Sequence, residues 1–193
     1  MKKTLLSTAL VAVMAAAGFA PQSAGAATNN PVSNNPTDGT ISISGQVIAQ
    51  TCKVDGQSAG TADAKTVNLP DVLTSQLSTV GATAGDKPFS IAVTGCDAAL
   101  SNVHTYFTGT NIDPTSGRLT NATGNATGVQ VQLLNGDNTI IALNSADGSQ
   151  NSKSVNLVTG AATLNYKARY YASSATVGAG SVTTSVAFTM VYQ

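Results

Sequence analysis

Apolar or small residues alternate with mostly polar ones along residues 41–49, and the same period of two returns along residues 186–192. In the first run Ile41, Ile43, Gly45, Val47 and Ala49 share one parity, and Ile48 is the single residue out of step. In the second run Val186, Phe188, Met190 and Tyr192 share one parity. Successive side chains on a strand point to opposite faces, so each run is expected to be a strand with one buried and one wet face. Such strands need a groove to lie in. The groove belongs either to the same molecule or to a neighbour.

The segments between them are short and punctuated by turn residues. Residues 66–70 and 103–107 read as short strands, and 88–95 as a strand with Phe89, Ile91 and Val93 inward. Residues 71–81 fit either a helical turn or a packed loop, and 111–125 read as a polar loop. Residues 129–134 and 139–143 flank Asn135-Gly136-Asp137-Asn138, the strongest hairpin pattern in the chain. Residues 162–172 and 181–193 complete the set. Many short strands at regular spacing predict an all-β sandwich. Cys52 and Val54 fall on even positions, so the apolar parity changes near Gln50 and a bulge or a change of sheet is expected there.

The beginning of the chain reads as a leader. Lys2 and Lys3 precede an apolar run from Leu5 to Ala20, and Ala24-Gly25-Ala26 supplies an A-x-A cleavage signature. A signal peptide of residues 1–26 is therefore expected, with cleavage after Ala27 as the alternative. The run is short for a membrane span of about 20 residues. Residues 27–50 then form a flexible extension carrying the alternating strand at about 39–50, and 51–193 form the sandwich domain. The mature chain sets seven basic residues against nine aspartates and has no glutamate, for a net charge of −2. Such composition disfavours helices and offers no basic patch for nucleic acid. Cys52 and Cys96 are the two cysteines. In an exported chain they are expected to form a disulfide, which would stabilise the fold by roughly 4 kcal/mol in the chain-entropy model.

Little here resembles catalytic chemistry. His104 is the one histidine and reads as a surface strand residue, on the parity opposite to Val103, Thr105 and Phe107. No G-x-S-x-G elbow supplies a nucleophile for a triad. With one histidine, no glutamate and paired cysteines, a zinc site lacks ligands. Most aspartates sit beside Gly, Pro or Asn, as turn aspartates do. Neither enzyme activity nor a cofactor is expected. Asn121-Ala122-Thr123 and Asn125-Ala126-Thr127 fit the N-glycosylation pattern, which marks an exposed loop.

Taken in order, several segments resemble the subunits of chaperone–usher fimbriae, most closely type 1-like major pilins. They are Gly45-Gln46-Val47 ahead of Cys52-Lys53-Val54, the run Phe89-Ser90-Ile91-Ala92-Val93-Thr94-Gly95-Cys96, Gly128-Val129-Gln130-Val131, and Tyr166-Lys167-Ala168-Arg169-Tyr170-Tyr171-Ala172. Gly180, fourteenth from the end, and the penultimate Tyr192 close the set. The lead-in at 27–38 is longer than is usual in the family.

The resemblance implies an incomplete immunoglobulin-like sandwich, completed by a donor strand from a neighbouring subunit. Ile41, Ile43, Gly45, Val47 and Ala49 would fill successive pockets of that neighbour, with Gly45 at the position the family keeps small. Gly180, Val186, Phe188, Met190, Tyr192 and Gln193 would form the strand that a periplasmic chaperone captures and that borders the acceptor groove. The implied partners are pilin subunits, the chaperone and an outer-membrane usher, and the implied product is a cell-surface fimbria supporting adhesion and biofilm formation. A minor adaptor pilin and a secreted sugar-binding β-sandwich adhesin are the alternatives.

Overall fold

Nine strands form the chain's regular structure in a computed structural model that describes residues 52–58, 60–61 and 64–193. The leader, the alternating run at 41–49 and the parity change near Gln50 lie outside the described residues. The strands are β1 (Lys53–Val54), β2 (Gln57–Ser58), β3 (Thr83–Thr94), β4 (Asn102–Thr108), β5 (Leu119–Thr120), β6 (Val129–Asn135), β7 (Val155–Asn156), β8 (Ala162–Ala172) and β9 (Ala187–Tyr192). They make a six-stranded sheet in the order β2-β1-β3-β8-β6-β5 and a three-stranded sheet in the order β7-β4-β9. Every strand pairing is antiparallel. The segment at 71–81 resolves into a single 3-10 turn, Thr74–Leu77, whose Leu77 is buried.

The core lies between the sheets. Ile91, Val93, Leu164, Tyr166, Ala168, Val131 and Leu133 from the larger sheet meet Val103 and Phe107 from the smaller one. Tyr166 joins the two. Its ring packs edge-on to Phe107 at 5.4 Å and against Phe89 at 5.5 Å. Its hydroxyl donates to Thr105 Oγ1 at 2.8 Å, so a fully buried polar pair also links the sheets. Burial raises the Tyr166 phenol above its ordinary pKa. Cys52 and Cys96 form the expected disulfide, tying the chain ahead of β1 to the end of β3. Gly160 is packed against it, because a Cβ there would lie 2.7 Å from the Cys96 carbonyl oxygen.

Several expectations are corrected. The turn after β6 closes as the Asn-Gly motif predicts, with Asn138 N–H donating to Asn135 O at 3.0 Å. Its second arm, however, keeps only an isolated bridge between Leu134 and Ile140. Past Ile141 the chain leaves β6: Ala142 N–H donates to Gln150 O at 2.8 Å and Leu143 N–H to Gly117 O at 3.2 Å, and the Gln150 side chain bonds to β4 and to this arm. Its amide accepts from Phe107 N–H at 3.0 Å and donates to Phe107 O at 2.7 Å and Leu143 O at 3.0 Å. Residues 66–70 form no strand. Val67 and Leu69 nevertheless pack inward against the core. The polar loop at 111–125 contains β5, and Leu119 within it is buried. That loop covers the outer face of β6, where Gln130 Nε2 donates to Asp113 Oδ2 at 2.7 Å.

His104 is not a surface residue. It is 6% exposed, and Nε2 lies 2.8 Å from Asp147 Oδ1 on the loop that folds over β4. Alternation correctly put His104 on the outer face of β4, but a loop from 43 residues further along covers that face.

The aspartates act as turn locks. Asp113 Oδ1 accepts from Thr115 and Ser116 N–H, and Asp137 Oδ1 accepts from Thr139 N–H. Backbone N–H groups at Asp113, the hydrogen-bonded Lys153 at Asp137 and His104 at Asp147 hold all three carboxyls below the usual carboxylate range. A depressed folded pKa contributes stability that is present above the unfolded value and is lost as pH falls through the folded one. The unfolding temperature should therefore fall once the pH drops below about 4, as a pH series of thermal melts would show. Gln150→Ala should cost about 2–3 kcal/mol by leaving the Phe107 backbone groups unpaired, measured by denaturant unfolding.

Candidate functional site: a half-bonded strand and its groove

β9 is the element that the rest of the sandwich leaves unfinished. It pairs with β4 from Val103↔Tyr192 to Thr108↔Ala187 and, among the described residues, with no strand on its other edge. Val186, Phe188, Met190 and Tyr192 point inward and pack on the core, yet each stays half-buried. Core strands such as β6 are buried along their whole length. The inward row of β9 therefore forms the floor of a site that its own sheet does not roof.

Upstream of β9 the ladder is continued by side chains. Asn111 Nδ2 donates to Ser185 O at 3.1 Å. Asn121 Oδ1 accepts from Thr183 N–H at 2.8 Å, and Thr183 O accepts from Ala122 N–H at 2.9 Å. These asparagines serve as rungs where β4 has ended, and hold 181–185 extended along one edge. Asn121 also donates to Ala126 O and Ser181 O and accepts from Gly124 N–H. A side chain so engaged is a brace within the fold, while Ala122, Thr123, Asn125 and Thr127 around it are exposed, as the motif's reading as an exposed loop expected. Asn125 Oδ1 likewise accepts from Ser181 N–H at 2.6 Å.

Gly180 sits where this segment crosses the 121–126 loop. A Cβ on Gly180 would lie 2.6 Å from Ala126 N and 2.8 Å from Asn125 C, both backbone atoms that cannot swing aside. Beside it opens a cleft of about 200 Å³, lined by Val72, Leu77, Val129, Tyr170, Val177 and Val182 among others. This cleft lies between residues 71–77 on one side and 177–182 on the other. Near the opposite end, the Gln193 backbone oxygen accepts from Ser101 N–H at 2.7 Å and Asn102 N–H at 3.1 Å.

The structure thus gathers Gly180, Val186, Phe188, Met190, Tyr192 and Gln193 along one border, while Cys52 and Cys96 join the chain ahead of β1 to the chain after β3. Ile41, Ile43, Gly45, Val47 and Ala49 lie outside the described residues. Val182 and Thr184 were missed as site residues, although they continue the parity of 186–192 and extending the alternation backwards would have found them. Asn111, Asn121 and Gln150 carried no sequence signal, because a polar residue in a loop does not announce its partner.

The chain is an all-β sandwich in which β9, like the end strands β2, β5 and β7, is bonded on one side only, and comparison with known proteins identifies it as the pilin fold, an immunoglobulin-like sandwich left incomplete. A family model described as fimbrial protein matches residues 41–193. The chain is 43% identical over 169 residues to the major fimbrial subunit SMF-1 of Stenotrophomonas maltophilia (strain K279a), covering 84% of this chain and 96% of that protein. It is structurally similar to the antigen and type I fimbria protein of Burkholderia pseudomallei, with a TM-score of 0.51, 29% identity, and 74% and 88% of the two chains covered. Its fold also matches a subunit of a solved chaperone–usher pilus, at a TM-score of 0.55 and 20% identity over 82% and 98% of the chains. The chain belongs to the fimbrial protein family and is a structural pilin subunit of a pilus.

Gly180→Ala should cost about 1–3 kcal/mol through overpacking against the Asn125–Ala126 backbone. Asn121→Ala should cost about 1–2 kcal/mol by removing several side-chain hydrogen bonds to exposed and part-buried backbone groups. Both losses are read from thermal or denaturant unfolding, and a chain unaffected by Gly180→Ala would contradict the packing described.

Proposed function

We propose that this pilin polymerises by donor-strand exchange. Residues 39–50 of one subunit would lie against the free edge of β9 in the next, with Ile41, Ile43, Gly45, Val47 and Ala49 turned to the core beside the inward row of Val186, Phe188, Met190 and Tyr192. The observation that carries this reading is the single-sided bonding of β9 together with the half-burial of its inward side chains. An open edge over apolar residues is a template for an added strand. The segment at 41–49 has the alternation such a strand needs.

The energetics fit a mechanical polymer. Burying Ile41, Ile43 and Val47 would contribute on the order of 1.5–3 kcal/mol each. A backbone ladder adds about 0.5–1.5 kcal/mol per bond. Dissociation of such a junction is very slow.

The same edge needs cover before assembly. We assign that role to a periplasmic chaperone strand, which the donor strand of the next subunit replaces at an outer-membrane usher. Residues 1–26 act as the signal peptide, 27–50 as the donor extension and 51–193 as the sandwich. The product is a surface fimbria supporting adhesion and biofilm formation, in which this subunit is structural and not catalytic.

Deleting residues 40–49 should leave export and chaperone capture intact and abolish polymer growth. The readout is electron microscopy of shed surface material, with denaturant-resistant ladders that collapse to monomer on heating. Normal fibres from the deletion would overturn the assignment. Phe188→Asp should lower periplasmic subunit levels by weakening chaperone capture, as immunoblotting of the periplasm would report.

A further inference from the structure

The outer face of the larger sheet carries a group of cations that no carboxylate of the described chain pairs with. Along β8, Leu164, Tyr166, Ala168 and Ala172 are buried, so Asn165, Lys167, Arg169 and Tyr171 point outward, about 7 Å from one to the next. Arg118, at the entrance to β5, reaches across from the far side of β6, and its Cζ lies 3.6 Å from the centre of the Tyr171 ring. Arg118 and Arg169 are the two arginines of the chain. They are far apart in sequence and meet through the pairing of β5, β6 and β8.

Both guanidiniums are held by neutral partners. Arg169 Nε and Nη2 donate to Gln132 Oε1 at 3.0 and 2.8 Å, and Gln132 is itself buried on β6. Arg118 rests on an aromatic ring, and its Nε is enclosed without a hydrogen-bond partner. Lys167 Nζ donates to Asn138 Oδ1 at 2.6 Å. None of the three enters an ion pair among the described residues. Asp113 shares a loop with Arg118, but its oxygens accept from Thr115 N–H, Ser116 N–H and Gln130 Nε2. Asp137, beside Asn138, is paired with Lys153. The two guanidiniums are half-buried, fixed in place and without a counter-charge. Their forks of N–H donors match a carboxylate or sulfate, and they are already ordered before any ligand arrives.

The surroundings select the kind of anion. Duplex nucleic acid carries a charge every ~1.7 Å and is bound by broad, strongly positive faces. A chain with no net positive charge and three cations in this group offers no such face. An acidic polysaccharide spreads its charges along a string of sugars with hydroxyls between them. Beside the cations stand the exposed amides of Asn138 and Asn165, and an amide both donates to and accepts from hydroxyls. We infer that Arg118, Arg169 and Lys167 form a binding site for an acidic polysaccharide, with the two arginines gripping its carboxylate or sulfate groups.

The test is co-sedimentation of labelled polygalacturonate, dextran sulfate and neutral dextran with fibres of the full-length protein, the first two probes distinguishing carboxylate from sulfate. Wild-type fibres should retain an acidic probe and leave neutral dextran in solution, and retention should fall as salt rises. Arg118→Gln and Arg169→Gln should each weaken binding about tenfold, the effect of losing hydrogen bonds to a charged group. Arg169→Lys, which keeps the charge and loses the fork, should weaken it less. Thermal melts of the variants establish that they are folded, and Arg169→Lys decides the matter if a glutamine variant melts early. Equal retention of neutral dextran would overturn the inference. So would glutamine variants that bind like wild type, or an Arg169→Lys variant of undiminished affinity, which would reduce the site to diffuse charge. Tighter binding of duplex DNA than of either acidic polysaccharide would overturn the choice of ligand.

Discussion

What is particular to this sandwich is that β9 has a ladder on one side only while its inward apolar row stays half-buried. Its bonds to β4 hold it in place, and its inward row rests on the core. Nothing within the described chain completes its outer edge. The rest of the fold is arranged so that this edge survives. Asn111 and Asn121 carry the extended conformation upstream after β4 has stopped. Gly180 lets that segment press against the 121–126 loop without a side chain in the way. The edge is thus fixed in shape before anything docks on it, and a pre-formed edge does not have to be ordered at the moment of binding.

The two sheets are held together by a different device. Tyr166 places a ring between Phe89 and Phe107 and a hydroxyl on Thr105, so one residue supplies apolar contact and a polar tie across the interface. Thr105 in turn reaches Met190, on the floor beneath the open edge. The centre of the core is therefore connected by hydrogen bonds to the half-buried row of β9. Beyond the short pairing of β4 with β7, Gln150 continues that edge with a side chain at Phe107.

Much of this was legible in the sequence, for a definite reason. Period-two patterns located β3, β4, β6, β8 and β9, and also put Phe89, Ile91 and Val93 on the inner face, because burial on one side of a strand writes itself into every second residue. Local pattern is silent about what covers the other side. His104 has the parity of an outward residue and is outward; only the loop carrying Asp147 buries it. The arm after Asn138 has the residues of a strand, but beyond Ile141 its backbone bonds to Gln150 and Gly117 and not to β6. Val67 and Leu69 alternate correctly and find no ladder. At the candidate site, the apolar floor from Val186 to Tyr192 was readable, whereas the asparagine rungs were not, since they work through contacts across 62 and 74 residues of chain.

The choice of asparagine, glutamine, threonine and turn aspartate for these braces has a further effect. Among the described residues only three ion pairs occur: Lys65–Asp55, His104–Asp147 and Lys153–Asp137. The joints that shape the acceptor edge use neutral amides and backbone groups instead. Screening by dissolved salt weakens interactions between exposed charges and leaves neutral hydrogen bonds and buried apolar contacts nearly untouched. The braces that shape this edge therefore keep their strength over a wide range of salt concentration.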